Sequence, residues 1–200
     1  MDKIAAVILA GGRGERLGGV NKALLEIGGK RLLERVRAAI SGCAPILLSV
    51  GGAAFEIAGF PIEDQVLDLA TDYGGPLAGV AAAVERLAIE PPELLLSVAV
   101  DTPFFPADFV ERALPLLDAA PAVVAAFAGQ TYPTNALWRF AALRTLPDEV
   151  RAGVAPHSLK RLAAALGEVP LDYAGGAAED PFANVNTPAD LAALRRRAEA

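Results

Sequence analysis

The sequence predicts an α/β fold, a single domain built on a mixed, mostly parallel sheet flanked by helices. Three observations carry this prediction. Short apolar runs alternate with amphipathic stretches through about the first 130 residues, the rhythm of strand–helix–strand units. The runs themselves lack polar alternation, as strands covered on both faces do. A chain of 200 residues that is 54% hydrophobic and 21% charged also supports one sizeable core, because folding at this length buries roughly 70% of the unfolded surface.

The elements follow in order. Residues 4–9, Ile-Ala-Ala-Val-Ile-Leu, read as a buried strand closed by Gly11-Gly12. Residues 31–40 place Leu32, Leu33, Val36 and Ile40 on one helical face with charges opposite. Strands are expected at 45–50, ended by Gly51-Gly52, and at 65–68, followed by a helix over 77–87. The strongest strand is 94–100, apolar except for Ser97 and stopped by Asp101-Thr102-Pro103. Residues 106–114 read as helix, 122–127 and 136–138 as strands, and 139–146 and 157–166 as helices. Thr187-Pro188-Ala189-Asp190 sets an N-cap, a proline at the first helical position and an acid three residues after the cap. That last helix ends in Arg195-Arg196-Arg197, which suits its C-terminal dipole and reads as a solvated tip. The less regular stretch 121–180 is read as an insertion or extension of the sheet, not a second domain.

Composition narrows the chemistry. A single Cys43 forms no internal disulfide, and together with a single His157 it assembles no Cys/His zinc site. A catalytic metal is therefore expected to be oxygen-held, Mg²⁺ or Mn²⁺. The net charge of −6 argues against a broad nucleic-acid surface. The longest apolar runs, 79–84 and 122–128, fall short of the ~18–20 residues that cross a bilayer. Asp2-Lys3 leads into seven apolar residues and then Gly11-Gly12-Arg13, unlike a secretory leader. The expectation is a cytoplasmic protein with neither nucleic-acid nor membrane partners. Charge is uneven, however: residues 11–40 hold seven basic residues against three acidic ones, which suggests a small anionic ligand.

The first strand runs into Leu9-Ala10-Gly11-Gly12-Arg13-Gly14-Glu15-Arg16-Leu17-Gly18-Gly19-Val20-Asn21-Lys22. Five glycines in nine residues let backbone N–H groups approach an anion without Cβ interference. Arg13, Arg16 and Lys22 add charged donors for phosphate oxygens. The alternative is a loop whose glycines merely turn the chain. Two familiar phosphate loops fail. A P-loop would align Gly14 with Gly19, but Val20-Asn21 stands where Lys-[Ser/Thr] is required. The dinucleotide fingerprint needs glycine at Leu17 and an acid near Ser49-Val50-Gly51, and has neither.

Asp101 ends a parallel strand, where a carboxylate projects into the ligand crevice and can hold a hard cation. Its alternative role is to cap the turn that follows. Asp68 and Asp72 precede the Gly74-Gly75-Pro76 turn, and Asp72 reads equally as a turn-former.

The glycine-rich segment resembles that of nucleotidyltransferases beginning L-A-G-G-x-x-x-R-[M/L]-G. The resemblance runs on through Asp72-Tyr73-Gly74-Gly75-Pro76-Leu77-Ala78-Gly79, Asp101-Thr102-Pro103, Tyr132-Pro133-Thr134-Asn135-Ala136-Leu137-Trp138 and Phe182-Ala183-Asn184-Val185-Asn186-Thr187-Pro188. Five motifs in order over residues 7–190 are similar to those of the molybdenum cofactor guanylyltransferases. That family implies a Rossmann-like nucleotidyltransferase fold. It also implies transfer of GMP from GTP to molybdopterin, with release of pyrophosphate. Because free molybdopterin is labile, direct hand-over to a molybdopterin-delivering or molybdoenzyme-maturation protein is expected as well.

Carried over position by position, the resemblance implies that Leu9, Ala10, Gly11, Gly12 and Lys22 hold the phosphates, joined by Arg13 and Gly14. Asp68, Asp72 and Gly75 would contact the nucleotide. Asp101 would carry Mg²⁺ and contact the nucleotide, and Lys22, Asp101 and Arg16 would be the catalytic set. Asn184 and Asn186 would sit near the acceptor or the metal. The chain departs from the pattern twice: Asn21 replaces an aspartate before the lysine, and Ser49 and Gly51 stand around the position where an asparagine is usual. The implied chemistry is in-line phosphoryl transfer, which asks for positioning and charge neutralisation, not a general base.

Other readings stay open on the residues. A cytidylyl- or sugar-nucleotidyltransferase would share the loop, and Asn21 would also suit a non-catalytic nucleotide-binding protein. Lys160 and Arg161 read as donors to the acceptor phosphate or, equally, as a solvated helix face. His157 reads as a surface residue at a helix start, Trp138 as core beneath the acceptor site or as a stacking platform, and Cys43 as inert.

Overall fold

The computed structural model describes residues 3–11, 19–52, 54, 56–57, 60–69 and 75–199. Strand β1 (Ile4–Leu9) lies at the middle of a seven-stranded sheet, between β4 (Ile46–Val50) and β6 (Leu94–Ala99), parallel to both. β5 (Gln65–Leu67) extends the β4 side in parallel. On the β6 side come β8 (Gln130–Arg139), β7 (Ala122–Phe127) and β9 (Glu168–Asp172), giving the order β5-β4-β1-β6-β8-β7-β9. β8 alone runs against its neighbours β6 and β7, while β7 and β9 are parallel.

The period of two in β1 explains why both faces are covered. Ala5, Val7 and Leu9 enter a cluster with α2 (Pro76–Leu87), α4 (Leu146–Arg151) and α5 (Leu159–Leu166). Ala6 and Ile8 enter the opposite cluster, with α1 (Leu32–Ala39) and α3 (Phe109–Ala113). Gly79 lets α2 press against the strand ends. A Cβ there would lie 2.3 Å from Ser49 Oγ and 3.1 Å from Leu9 Cδ2.

A third, smaller cluster joins distant parts of the chain. Ile27, Leu32, Val185 and Leu194 pack together, tying the hairpin β2 (Glu26–Ile27) and β3 (Lys30–Arg31) to α6 (Pro188–Glu199). The hairpin turns on Gly28 and Gly29, at φ 56° and 70°, left-handed angles that a two-residue hairpin loop requires. α6 begins as expected: Asp190 N–H donates to Thr187 Oγ1 at 3.2 Å, and Thr187 N–H donates back to Asp190 Oδ2 at 2.8 Å.

Several expectations are corrected. Residues 139–146 are not one helix, because Phe140–Leu143 forms a 3₁₀ turn and α4 starts only at Leu146, with Pro147 in its first turn. The 136–138 strand is the end of the ten-residue β8. The irregular stretch extends the sheet through β7, β8 and β9, one of the two readings expected from its sequence. The C-terminal arginines are not a free tip. Arg195 donates to Glu26 O, while Arg197 donates to Asp180 O, pairs with Glu179 and lies over Phe104. No helix among the described residues is long and apolar enough to cross a membrane.

Candidate active site

The parallel strands β1, β4, β5 and β6 end at one edge of the sheet. After β1 the chain adds β4 and β5 on one side and then returns to place β6 on the other. Ligand crevices of α/β proteins lie at such reversals. Here Leu9 and Val100 are joined by a Val100 N–H to Leu9 carbonyl bond of 3.1 Å, so the end of β1 lies beside Asp101.

Lys22 is brought to that point by its local structure. It opens a 3₁₀ turn, Lys22–Leu24, whose next residue Ala23 is fully buried in the core. Asn21 caps the turn, its Oδ1 accepting from Ala23 N–H at 3.0 Å. The departure at Asn21 therefore costs little, since asparagine and aspartate cap equally well. From this base Lys22 Nζ reaches Asp101 Oδ2 at 2.6 Å and Asn186 Oδ1 at 2.9 Å. The Lys22 and Asp101 side chains are only 13% and 15% exposed, so the pair is largely withdrawn from water.

Asn186 arrives from 164 residues away, carried by the small cluster under α6. Its backbone N–H donates to Asp190 Oδ2 at 3.0 Å, the carboxylate that also caps α6. Burial opposes ionisation of Asp190. The hydrogen bonds from Thr187 and Asn186, with the nearby Lys22 charge, outweigh it and hold the carboxyl below its ordinary range. Val185 N–H donates to Asp101 O at 3.0 Å, which lashes the Asn184–Asn186 segment to the end of β6. Phe182, fully buried against Phe105, Phe109, Tyr132 and Tyr173, anchors the same segment from below.

A second group lies at the ends of β4 and β5. Ser49 Oγ donates to Asp68 Oδ1 at 2.9 Å. Burial raises the Asp68 carboxyl above its ordinary value, against the Ser49 bond that lowers it. Gly11 packs so tightly here that a Cβ on it would stand 3.1 Å from both Asp68 Oδ2 and Gly51 N. A Cβ on Gly51 would stand 2.6 Å from Gly11 O. Position 51 thus admits no side chain, and Ser49 is confined by Gly79, which explains why no asparagine stands at either.

The structure accordingly brings Lys22, Asp101 and Asn186 together, with Asn184 adjoining, and places Leu9, Ala10, Gly11 and Asp68 along the same strand ends. Gly75 caps α2 at φ 75°, with Pro76 following it. Gly12, Arg13, Gly14, Arg16 and Asp72 lie outside the described residues. Lys160 is exposed on α5 and has no hydrogen-bond or ion-pair partner among the described residues, so nothing joins it to the Lys22 group. His157 is exposed, two residues before α5. Trp138 is fully buried, its Nε1 donating to Ser97 Oγ at 3.0 Å, which makes it core and not a platform. Burial pushes the Cys43 thiol up to about 11, leaving it without thiolate character near neutral pH.

Sequence reasoning missed Asn135. It is fully buried and links the Ala99 N–H to Thr102. Its signal is an asparagine inside an otherwise apolar strand ending, Asn135-Ala136-Leu137-Trp138.

A mostly parallel sheet with a lysine and a carboxylate held at its reversal point defines an α/β protein with its candidate site at the strand ends. The chain belongs to the MobA-like NTP transferase family, whose domain matches residues 6–170. It is 43% identical over 190 residues to the molybdenum cofactor guanylyltransferase of Acidiphilium cryptum, covering 94% of this chain and 92% of that one. Its fold is similar to that of molybdopterin-guanine dinucleotide biosynthesis protein A from Archaeoglobus fulgidus, with a TM-score of 0.72 at 20% identity and 98% of each chain covered. It is also similar to Rv0371C of Mycobacterium tuberculosis in complex with manganese, with a TM-score of 0.64 at 20% identity and 98% of each chain covered.

Proposed function

We propose that this protein transfers GMP from GTP to molybdopterin, forming the guanine dinucleotide cofactor and releasing pyrophosphate in the cytoplasm. The observation that carries the reading is the Lys22 ammonium seated between Asp101 Oδ2 and Asn186 Oδ1. The near full-length identity to a guanylyltransferase supports the choice of GTP and molybdopterin over the cytidylyl and sugar branches.

The same three groups bear on metal use. Two hard oxygens, one anionic, converge on a single cation and hold it at 2.6 and 2.9 Å. That donor set fits a divalent ion. No cluster of three or more His, Cys, Asp or Glu suited to a metal occurs among the described residues. The ion would therefore be completed by substrate phosphates, as Mg²⁺ commonly is. Asp101 and Asn186 would hold it, and when bound it would neutralise phosphate charge. The manganese complex among the structural neighbours supports a divalent ion, and Mg²⁺ is the one we assign.

The terminal phosphate oxygen of the pterin attacks the α-phosphorus of GTP; the bond to the bridging oxygen breaks and pyrophosphate leaves. A phosphate monoester is already anionic near neutral pH, so the protein has no proton to remove. Lys22, released from its partners toward the phosphates, neutralises charge on the leaving group, and Arg13 and Arg16 add donors from the loop. Gly11 lets the end of β1 approach the nucleotide closely, and Leu9, Ala10, Gly12 and Gly14 are the further residues we assign to its phosphates. Asp68, Asp72 and Gly75 are the residues we assign to further contacts with the nucleotide.

The test is thermal stabilisation by GTP, CTP, UTP and ATP with and without Mg²⁺, followed by pyrophosphate release with molybdopterin. Ligand at a hundred times its Kd stabilises the native state by about 2.7 kcal/mol. Selective, Mg²⁺-dependent stabilisation by GTP and release of pyrophosphate are expected. Preference for CTP would move the protein to the cytidylyl branch, and binding without release would make it a nucleotide carrier.

A further inference from the structure

The segment carrying Asn184 is joined to the interior by three hydrogen bonds whose direction is fixed at the buried end. Pairing of β6 with β8 stops at Ser97 and Ala136, and β8 bulges away from β7 between Tyr132 and Ala136. Ala99 N–H is thereby left without a strand partner and donates instead to Asn135 at 2.9 Å. A backbone N–H can only donate, so the Asn135 atom it meets is the amide oxygen. The Asn135 nitrogen then faces Thr102, 3.3 Å from Oγ1, and donates to it.

Asn135 and Thr102 are both fully buried. The Thr102 hydroxyl has one proton, and a buried proton left unpaired is costly. The acceptor within reach is Asn184 Oδ1, at 3.1 Å. A reversed Asn184 amide would offer Thr102 a second donor and leave its proton with nowhere to go. The relay therefore runs outward from Ala99 through Asn135 and Thr102 to Asn184. It ends with the Asn184 NH₂ as the open edge, which has no hydrogen-bond partner among the described residues.

The geometry points to Asn135 and Thr102 as positioning residues that hold Asn184 with its NH₂ outward, as a donor to a phosphate oxygen and not as a ligand of the cation. The inference deepens the guanylyl-transfer reading and rests on it for the phosphate concerned, the terminal phosphate of the acceptor. The two asparagines of Asn184-Val185-Asn186 then divide the work. Asn186 turns its oxygen to a cation, since Lys22 already donates to it, while Asn184 turns N–H groups to an anion. The bond from Val185 N–H to Asp101 O keeps both beside the carboxylate. Two phosphates must meet in this reaction, and a neutral donor whose direction is set beforehand lowers their repulsion without competing for the cation.

Three isosteric or near-isosteric variants test the relay: Thr102→Val removes the hydroxyl, Thr102→Ser keeps it, and Asn184→Asp replaces the NH₂ with a second oxygen. Thr102→Val should raise the acceptor KM about tenfold or more with the GTP KM within about twofold of wild type. Thr102→Ser should stay near wild type. Asn184→Asp should weaken acceptor binding at least as much, with no tightening of half-saturation by Mg²⁺.

Equal losses in Thr102→Val and Thr102→Ser would make the effect one of packing and overturn the relay. A rise in the GTP KM alone would put the donor on the nucleotide and overturn the acceptor assignment. Tighter Mg²⁺ binding by Asn184→Asp would make Asn184 a cation ligand, which also overturns the proposal. The relay is read without substrate from the side-chain amide signals of the ¹⁵N-labelled protein. The Asn135 NH₂ should exchange slowly in wild type, and the Asn184 NH₂ should shift in Thr102→Val but not in Thr102→Ser. A fast-exchanging Asn135 amide overturns it, and this wild-type measurement stands even where Thr102→Val does not fold. A wild-type enzyme that transfers nothing to molybdopterin sinks the guanylyl reading, while the amide signals still decide the relay.

Discussion

Replacing Lys22 by methionine keeps the length of the side chain and removes its charge, which isolates what the ammonium does between Asp101 and Asn186. At the observed 2.6 Å, the attraction to Asp101 is roughly 6 kcal/mol for an effective dielectric constant of about 20. Desolvation of two side chains that are 13% and 15% exposed cancels much of that gain, so the intact pair contributes little net stability. Removing one partner is a different matter, because the carboxylate stays buried without its counter-charge. Such losses run to about 3–5 kcal/mol in full burial, and the residual exposure of Asp101 puts Lys22→Met near the lower end. For a chain of this size that corresponds to a fall in Tm of about 6–12 °C. Adding Asp101→Asn removes the stranded charge, and the double variant should recover more than half of the loss, a coupling a double-mutant cycle reads directly. Mg²⁺ alone supplies the second measurement. With the ammonium gone, Asp101 Oδ2 and Asn186 Oδ1 are free to take a divalent ion. Mg²⁺ without nucleotide should then raise the Tm of Lys22→Met by several degrees more than that of wild type. Wild-type Tm in Lys22→Met, or an unchanged response to Mg²⁺, would refute the reading that Lys22 occupies the cation position.

Two further outcomes follow from the neighbouring strand ends. Burial raises the Asp68 carboxyl, so the fold favours its protonated form, and ionisation subtracts stability once pH exceeds the ordinary carboxylate value of about 4. Asp68→Asn, which can still accept from Ser49, should match or exceed the wild-type Tm at neutral pH, with the advantage fading as pH falls toward about 4; a lower Tm at pH 7 would contradict this. Gly79→Ala drives a methyl to 2.3 Å from Ser49 Oγ and should cost about 1–3 kcal/mol by denaturant unfolding. Ser49→Gly in the same chain should restore most of it, because both close Ser49 atoms then disappear.

What the sequence made legible follows from which forces act locally. β1, β4, β6 and β7 are covered on both faces, so each declares itself as an apolar run, broken only by Ser49 in β4 and Ser97 in β6. The capping box at Thr187 and Asp190 is equally local, and it formed where expected. β9 contains Pro170 and, among the described residues, pairs only with β7 at the edge of the sheet; proline demotes such a segment in any pattern-based reading. The β2–β3 hairpin left one local sign, Gly28-Gly29, that periodicity alone passes over.

The site divides along the same line. Lys22 and Asp101 stand out because charges beside apolar strands need a reason, and motif resemblance singled out the two asparagines. Which atom each asparagine presents is a property of its partners. For Asn186 that partner is Lys22, 164 residues earlier, brought close by the packing of Ile27, Leu32, Val185 and Leu194. For Asn184 the direction is set at Ala99, three hydrogen bonds away, by an N–H that a bulge in β8 deprives of its strand partner. Polarity passed along such a chain leaves no trace in residue spacing, since every asparagine carries both a donor and an acceptor. The buried backbone N–H breaks that symmetry. For that reason the motif reads as two equivalent amides in one dimension and as an oxygen beside an N–H donor in three.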